Sequence, residues 1–361
     1  SPADPDVLAL PDPRSLMVLP WQRQVAWLAT DLMLGGAPLE QSPRRVLQRQ
    51  IARAASHGLE LRSGVEAEFF LLDAQGERVA DPRDSQRKPC YDQRALMRRF
   101  PLISALLEAM EELGWGPYQA DHEDANGQFE LNWTYSDALT TADRHAFFRV
   151  MAATLAEQEN LTVSFDPKPF ADFTGNGAHL HCSLWDGDGR NRFCDPGGPL
   201  GLSGLAYQFL AGVLAHAPAL CALTNPLPSS YRRLGRCLTT SGASWSPAWI
   251  SYGGNNRTHL VRIPDDQRLE IRLPDGGANP YLLQAAVLAA GLDGIERQLD
   301  PGPRSDADLN VEDPPAGTGQ LPGDLVEALD ALEADRPLVA ALGESFCSSY
   351  LALMRRAVVE G

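Results

Sequence analysis

The chain has 361 residues, 44% of them hydrophobic, and a formal net charge of −16. That acidity excludes the basic surfaces that nucleic acid and anionic membranes require, no apolar run reaches membrane-spanning length, and no leader-like segment opens the sequence. The length suits one substantial domain plus a smaller piece, and the six cysteines, at 90, 182, 194, 221, 237 and 347, show neither pairing rhythm nor metal spacing, as expected of reduced thiols in a cytoplasmic protein.

In chain order, Ser42-Pro43 reads as the cap and first turn of a helix that ends near Gly58. Residues 64–72 (GVEAEFFLL) then place Glu66 and Glu68 in an apolar run of strand character, on one face and roughly 7 Å apart. If that strand is buried, the two charges need a partner, and a divalent cation is the usual one; an edge strand with both acids in water fits the same letters. A helical pattern follows over 92–113, and 121–131 (DHEDANGQFEL) carries Glu123 and Glu130 in a turn and strand. After a second helix over 141–160, residues 174–184 (TGNGAHLHCSL) form a glycine-rich approach to a strand on which His179 and His181 share a face. Such imidazoles hold a metal, reach phosphate or serve as hydrogen-bonded core groups. A helix spans 200–216; then 268–275 (RLEIRLPD) sets Arg268, Glu270 and Arg272 against Leu269, Ile271 and Leu273, which also fits an amphipathic strand with solvated ion pairs. A helix over 280–298 opens at Asn279-Pro280, and the Pro/Gly/Asp-rich stretch 300–323 reads as a surface excursion. Helices interleaved with these strands predict an α+β fold.

Taken together, the motifs resemble the glutamine synthetase family over nearly the whole chain. EAEFFL (66–71), HE (122–123) with GQFE (127–130), GNGAHLH (175–181), NPLPSSYRRL (225–234), NRT (256–258) and EIRLPDGGANPYL (270–282) occur in the family's order. The resemblance implies a catalytic domain over 41–361 built on a curved antiparallel sheet, preceded over 1–40 by the remainder of an N-terminal β-grasp domain. It implies homo-oligomers, commonly dodecamers, with active sites between subunits. By position, it implies one metal site from Glu68, Glu123 and Glu130 and another from Glu66, His179 and Glu270, with hard oxygen donors suited to Mg²⁺ or Mn²⁺. Arg257 and Arg262 match arginines on the transferring phosphoryl group. Arg233, Arg272 and Gly175 match the site for the substrate L-glutamate, and Tyr135, His181, Ser183 and Arg268 match the ATP pocket. The implied chemistry is phosphorylation of the glutamate γ-carboxylate by ATP and displacement of phosphate by an amine.

Two departures bear on the amine. The flap after the SYRRL motif, 234–247 (LGRCLTTSGASWSP), contains no acid and is longer than the usual one, whereas ammonia-using members carry a glutamate there. The chain also begins after the point where the family's acidic N-terminal loop is expected, so an N-terminal portion, and some C-terminal tail, are expected to be absent. The wording of the middle region looks most like the branch that holds γ-glutamylmethylamide synthetase and its GlnT-type relatives, which join glutamate to alkylamines or sometimes ammonia, with Trp245 or Trp249 as an apolar wall or as structural residues. Val311 stands where adenylylated members are expected to carry the modified tyrosine.

Overall fold

The structure is a computed structural model that describes residues 5–235 and 239–360. Its centre is the 14-residue strand Leu59–Leu72, which pairs through residues 59–67 with Ala178–Asp186 and through residues 67–70 with Gln128–Trp133. Outward from these lie Leu269–Ile271, Val261–Arg262 and Tyr252–Gly253 at one edge and Pro117–His122 at the other. All these pairings are antiparallel except that of Tyr252–Gly253 with Val261–Arg262. The α+β expectation holds, and the central strand begins five residues before the predicted run because Ala178–Asp186 continues the ladder down to Leu59.

One face of the sheet is apolar. Val65, Ala67, Phe69 and Leu71 point into a core closed by Pro43–Ser56, Phe100–Glu112 and Ala138–Gln158. Helix Pro280–Glu296 is apolar nearly all round and lies at the centre of the helical layer, with Asn279 capping its first turn through Oδ1 and Pro280 opening it. Gly212 and Gly294 let Gly204–Ala215 cross it closely, since a Cβ on Gly212 would stand 2.1 Å from the Ala290 carbonyl oxygen.

Three expectations change in detail. The helix predicted over 92–113 is two helices, Gln93–Arg98 and Phe100–Glu112, because Pro101 lacks the N–H that would continue the first. The pattern over 200–216 begins in a short 3-10 turn, Pro199–Gly201, and becomes α-helical only at Gly204, where Ser203 supplies the cap. The stretch 300–323 is irregular but not merely superficial: Leu309 and Leu321 are buried, and the Tyr252 hydroxyl donates to the Gly302 carbonyl at 2.8 Å.

N-terminal to the first helix, Leu8–Pro11, Thr30–Leu34 and Ala37–Pro38 form a small three-stranded sheet. Arg44 ties it to the body, donating to Asp12 (2.8 Å), Asp31 (2.6 Å) and Asp143 (3.1 Å). Among the described residues no single helix is long and apolar enough to cross a membrane. Cys90, Cys182, Cys194, Cys221 and Cys347 are free thiols, and Cys237 lies outside the described residues.

Candidate active site

The opposite face of the sheet carries the charges, and strand register brings them together. Glu66 stands opposite His179, Glu68 opposite Glu130, Glu130 opposite Asp121, and Glu270 opposite both His181 and Arg262. Facing like charges destabilise a sheet unless something neutralises them. The edge-strand alternative for Glu66 and Glu68 fails, since Glu68 is buried at the sheet's centre. The solvated-pair alternative for Arg268–Arg272 fails for its inner half, where Glu270 is 0% exposed and Arg272 is buried.

Ligand atoms of Glu66, His179 and Glu270 lie within 4.8 Å of one another, a geometry that could hold a metal ion. His179 Nδ1 faces Glu66 at 3.2 Å and both Glu68 and Glu270 at 3.8 Å. The second cluster differs from the expected set. Asp121, Glu123 and Glu130 converge within 4.8 Å, while Glu68 Oε2 is held by the Gly177 N–H (2.8 Å) and Gln128 Nε2 (2.9 Å). Glu68 still adjoins that cluster, standing opposite Glu130 across the sheet. Burial, together with the charges of Glu68 and Asp121, pushes Glu123 up to about 8, and burial with Glu66 and Glu123 raises Glu130 well above the carboxylate range. Carboxylates so raised, with one imidazole and no thiolate among the donors, form a set that fits hard divalent cations.

Where a cation is supplied by the chain, the direction reverses. Burial pushes Glu66 up, but hydrogen bonds from His179 and His181 outweigh it and hold it well below the usual range. Glu270 is lowered to about 2: burial opposes ionisation, yet the charge of Arg272, which pairs with Oε1, and those of His181 and His179 outweigh it; Arg262 also reaches Oε2 at 2.5 Å. His181 links the two halves of the site. Its Nδ1 accepts from Arg268 Nε at 3.0 Å, which leaves Nε2–H to donate to Glu66 at 2.9 Å.

The turn carrying Glu123 is fixed from behind. The Asp84 carboxylate accepts from His122 Nε2 (2.7 Å), Asn126 Nδ2 (2.8 Å) and the Gly127 N–H (2.6 Å). Gly127 is required there by its φ of +76° and by Val79, whose Cγ1 would stand 2.6 Å from a Cβ.

Two chambers flank the carboxylates. The larger, about 580 Å³, is lined by Tyr135, His181, Ser183 and Arg268, four residues the resemblance assigns to ATP, and by Trp185 and Arg62. Tyr135 stacks on Trp185 at 6.3 Å, the Arg62 guanidinium lies 4.3 Å from the Trp185 ring, and Ser183 Oγ accepts from the Trp185 indole. This chamber has the size and aromatic wall of a nucleotide site. The smaller one is lined by Glu68, Lys168, Gly175, His179, Arg233 and Trp245, and it encloses only about 10 Å³, room for one water-sized sphere. Gly175 is required there: a Cβ would sit 2.2 Å from the Pro167 carbonyl oxygen and 3.1 Å from Arg233 Cγ. Arg272 Nε and Gln128 Oε1 are buried without a hydrogen-bond partner among the described residues. Arg262 lies at the carboxylates, whereas Arg257 is exposed on the preceding loop, its charge felt at Cys90 and Tyr91.

Reading the sequence missed Asp121, Asp124, Trp185 and Arg62. Asp121 could have been found by its spacing of two from Glu123. Asp124 leaves no such signal, because its partner Trp245 is 121 residues away. Of the two tryptophans considered as a wall, Trp245 lines the smaller chamber, while Trp249 pairs with Gln320 through its backbone. Within the flap, residues 236–238 lie outside the described residues.

The chain matches the family profile described as glutamine synthetase, catalytic domain, over residues 40–360. It is 52% identical to a glutamine synthetase of Rhizobium leguminosarum bv. phaseoli over 98% of this chain and 82% of the relative. It is 46% identical to a glutamate–methylamine ligase of Methyloversatilis universalis over 94% of this chain and 78% of the relative. A solved structure of GmaS in complex with ADP superposes with a TM-score of 0.96 at 54% identity, covering all of this chain and 83% of the other.

Proposed function

The chain belongs to the glutamine synthetase family, ATP-dependent ligases that form a C–N bond, and on that premise we propose that it joins a small alkylamine such as methylamine to the γ-carboxylate of L-glutamate. The observation that carries the choice of amine is the flap. Residues 239–246 contribute no carboxylate to the smaller chamber but do contribute Trp245, an aromatic residue suited to an alkyl group. The likeness to the methylamine ligase and to GmaS supports the same choice.

In this reading the 580 Å³ chamber receives ATP, with the base against Tyr135 and Trp185 and the phosphates toward Arg268, Arg262 and the carboxylates. That the similar GmaS structure is a complex with ADP supports nucleotide binding by this chain. Glutamate lies in the smaller chamber, where the Arg233 and Arg272 guanidiniums hold its carboxylate oxygens and Gly175 leaves its backbone side open. A γ-carboxylate oxygen attacks the γ-phosphorus as the bond to the ADP oxygen breaks, giving γ-glutamyl phosphate. The amine nitrogen then attacks the γ-carbonyl carbon, phosphate leaves, and the nitrogen gives up its proton. Divalent cations, Mg²⁺ or Mn²⁺, held by Glu66, His179 and Glu270 and by Asp121, Glu123 and Glu130 with Glu68 adjoining, would neutralise the phosphates and the carboxylates together. The chain's own residues orient the two substrates, offset the phosphoryl charge through Arg257 and Arg262, and keep water from the acyl phosphate.

The second reading is ammonia as nucleophile, favoured by the rhizobial relatives at 52% and 49% identity that are named glutamine synthetase. Phosphate release with Mg-ATP and glutamate, compared across ammonia, methylamine, ethylamine and a polyamine with mass spectrometry of the product, decides between them. A γ-glutamylalkylamide formed in preference to glutamine supports the proposal, and preference for ammonia overturns it. We also propose that 1–40 is the remainder of a β-grasp domain and that the chain works as a homo-oligomer, commonly a dodecamer in this family. Exposed Leu8, Leu10, Leu16 and Val18 on that N-terminal piece support self-association, and light scattering of the full chain tests it.

A further inference from the structure

We infer that Asp124 is the positioning residue that latches segment 239–246 shut over the amino-acid chamber, with the Trp245 indole as the bolt. One oxygen of Asp124, Oδ2, accepts from Trp245 Nε1 at 2.6 Å, Ser241 Oγ at 2.5 Å and Thr174 Oγ1 at 3.3 Å. These donors come from separate parts of the chain. Trp245 and Ser241 belong to the flap, Thr174 opens the glycine-rich approach beside Gly175, and Asp124 follows Glu123 in the turn held by Asp84. A single buried carboxylate therefore ties the flap to both walls of the chamber. Hydrogen bonds to an ionised acceptor are the strong kind, and the closure is cooperative because all three share that acceptor.

The latch also reaches the substrate arginine. Trp245 accepts at its carbonyl from Arg272 Nη2 at 3.0 Å, so a residue that lines the chamber also restrains the Arg272 guanidinium. Thr240 fixes the flap's other side, its N–H and hydroxyl both donating to the Asp172 carbonyl, at 2.8 and 3.0 Å. With about 10 Å³ enclosed, the chamber as it stands has no room for an amino acid, and opening it by lifting 239–246 breaks the Trp245 and Ser241 bonds to Asp124. Reforming them seals γ-glutamyl phosphate from water during its lifetime. The acid that the flap lacks thus stands opposite it, where it holds the flap.

The inference rests on the proposed ligase reading, and two readouts on the full chain separate them. The first is the ratio of phosphate released to γ-glutamylamide formed, with methylamine or, if that is not accepted, ammonia. The second is hydrogen–deuterium exchange of 239–246, which needs no turnover. Trp245→Phe keeps the ring and removes the N–H far in sequence from the metal ligands; Asp124→Ala removes the acceptor, and Asp124→Asn restores an acceptor oxygen. We expect Trp245→Phe and Asp124→Ala to raise the ratio by about tenfold through leakage to water and to speed exchange in 239–246, with Asp124→Asn intermediate. A ratio and an exchange rate unchanged in Trp245→Phe overturn the latch, even if kcat falls. If the wild type forms no amide with any amine, the ligase reading fails, while exchange still decides whether Asp124 holds the flap.

Discussion

Arg44 and the Glu130 cluster are both places where carboxylates crowd below the surface, and they are neutralised in opposite ways. Around Arg44 the chain supplies its own cation: one guanidinium, itself buried, serves Asp12, Asp31 and Asp143, and the Tyr281 hydroxyl adds a donor to Asp143. Around Glu130 the register sets Glu68 and Asp121 opposite, Glu123 converges on the same point, and the nearest help is an amide, Asn132 Nδ2, at 2.8 Å. A network that closes on itself fixes structure, whereas one left with excess negative charge in a chamber beside a nucleotide-sized cavity is arranged to receive cations.

The sharpest way to break this contrast is to remove a charge from each side. Glu130→Ala, like Arg272→Ala, is expected to lower turnover by at least about 10³-fold, roughly 4 kcal/mol of lost transition-state stabilisation. The metal-free Glu130→Ala protein should melt no lower than wild type, since one of several repelling carboxylates is gone. Steady-state assays with thermal melts check both, and wild-type-like activity in either variant would sink the site assignment. Arg44→Met should do the reverse, costing about 3–5 kcal/mol of stability by leaving buried carboxylates uncompensated, with chemistry at the distant site intact in the protein that remains folded. Urea titration reads the loss.

pH sharpens the contrast further, because the two groups shift in opposite directions. Asp12 is held below its ordinary 3.8 by hydrogen bonding to Arg14, with burial opposing and Arg44 assisting, so its contribution is present above 3.8 and lost as pH falls. Glu123 is raised by burial and its acidic neighbours from 4.5 to about 8, so its contribution is complete below 4.5 and lost as pH rises towards 8. Melts of the metal-free protein should therefore fall across that upper window, and millimolar Mn²⁺ should flatten the fall; an identical slope with and without Mn²⁺ would remove the cation site from this cluster. His216 adds to the same upper limb. Burial opposes its charge, but Asp335 (2.6 Å) and Asp293 (2.9 Å) raise it above 6.5, so its stabilisation is full below 6.5 and lost as pH rises through the raised value. His216→Asn should remove that part of the slope whether or not metal is present. The smallest effect expected is at the chamber rim: Tyr135→Ala should weaken nucleotide binding by about tenfold or less, the value of one aromatic contact, with no change in melting. Nucleotide titration by calorimetry measures it.

Much of this site could be read from the letters. Glu66, Glu68, His179, His181 and Glu270 were found by a spacing of two on strands, and the structure puts each on the charged face. What the letters could not show is which carboxylate each cluster takes up. Glu68 and Asp121 both face Glu130 across the sheet, yet Glu68 is drawn off by the Gly177 N–H and Gln128, and Asp121 completes the triangle with Glu123. The division of 92–113 at Arg99 was signalled by Pro101 and passed over.

By itself the sequence determined the strand and helix periods, the order of the motifs and so the family, the glycines that close approach demands, and a flap without an acid, because these depend on residue type and on spacings of a few positions. Only the tertiary structure decided that Asp121 joins Glu123 and Glu130, that Trp185 lines the larger chamber, and that Asp124 meets Trp245. Those contacts join segments far apart in the chain, and which side chains share a volume is set by strand register and by the packing beneath the sheet rather than by any local pattern.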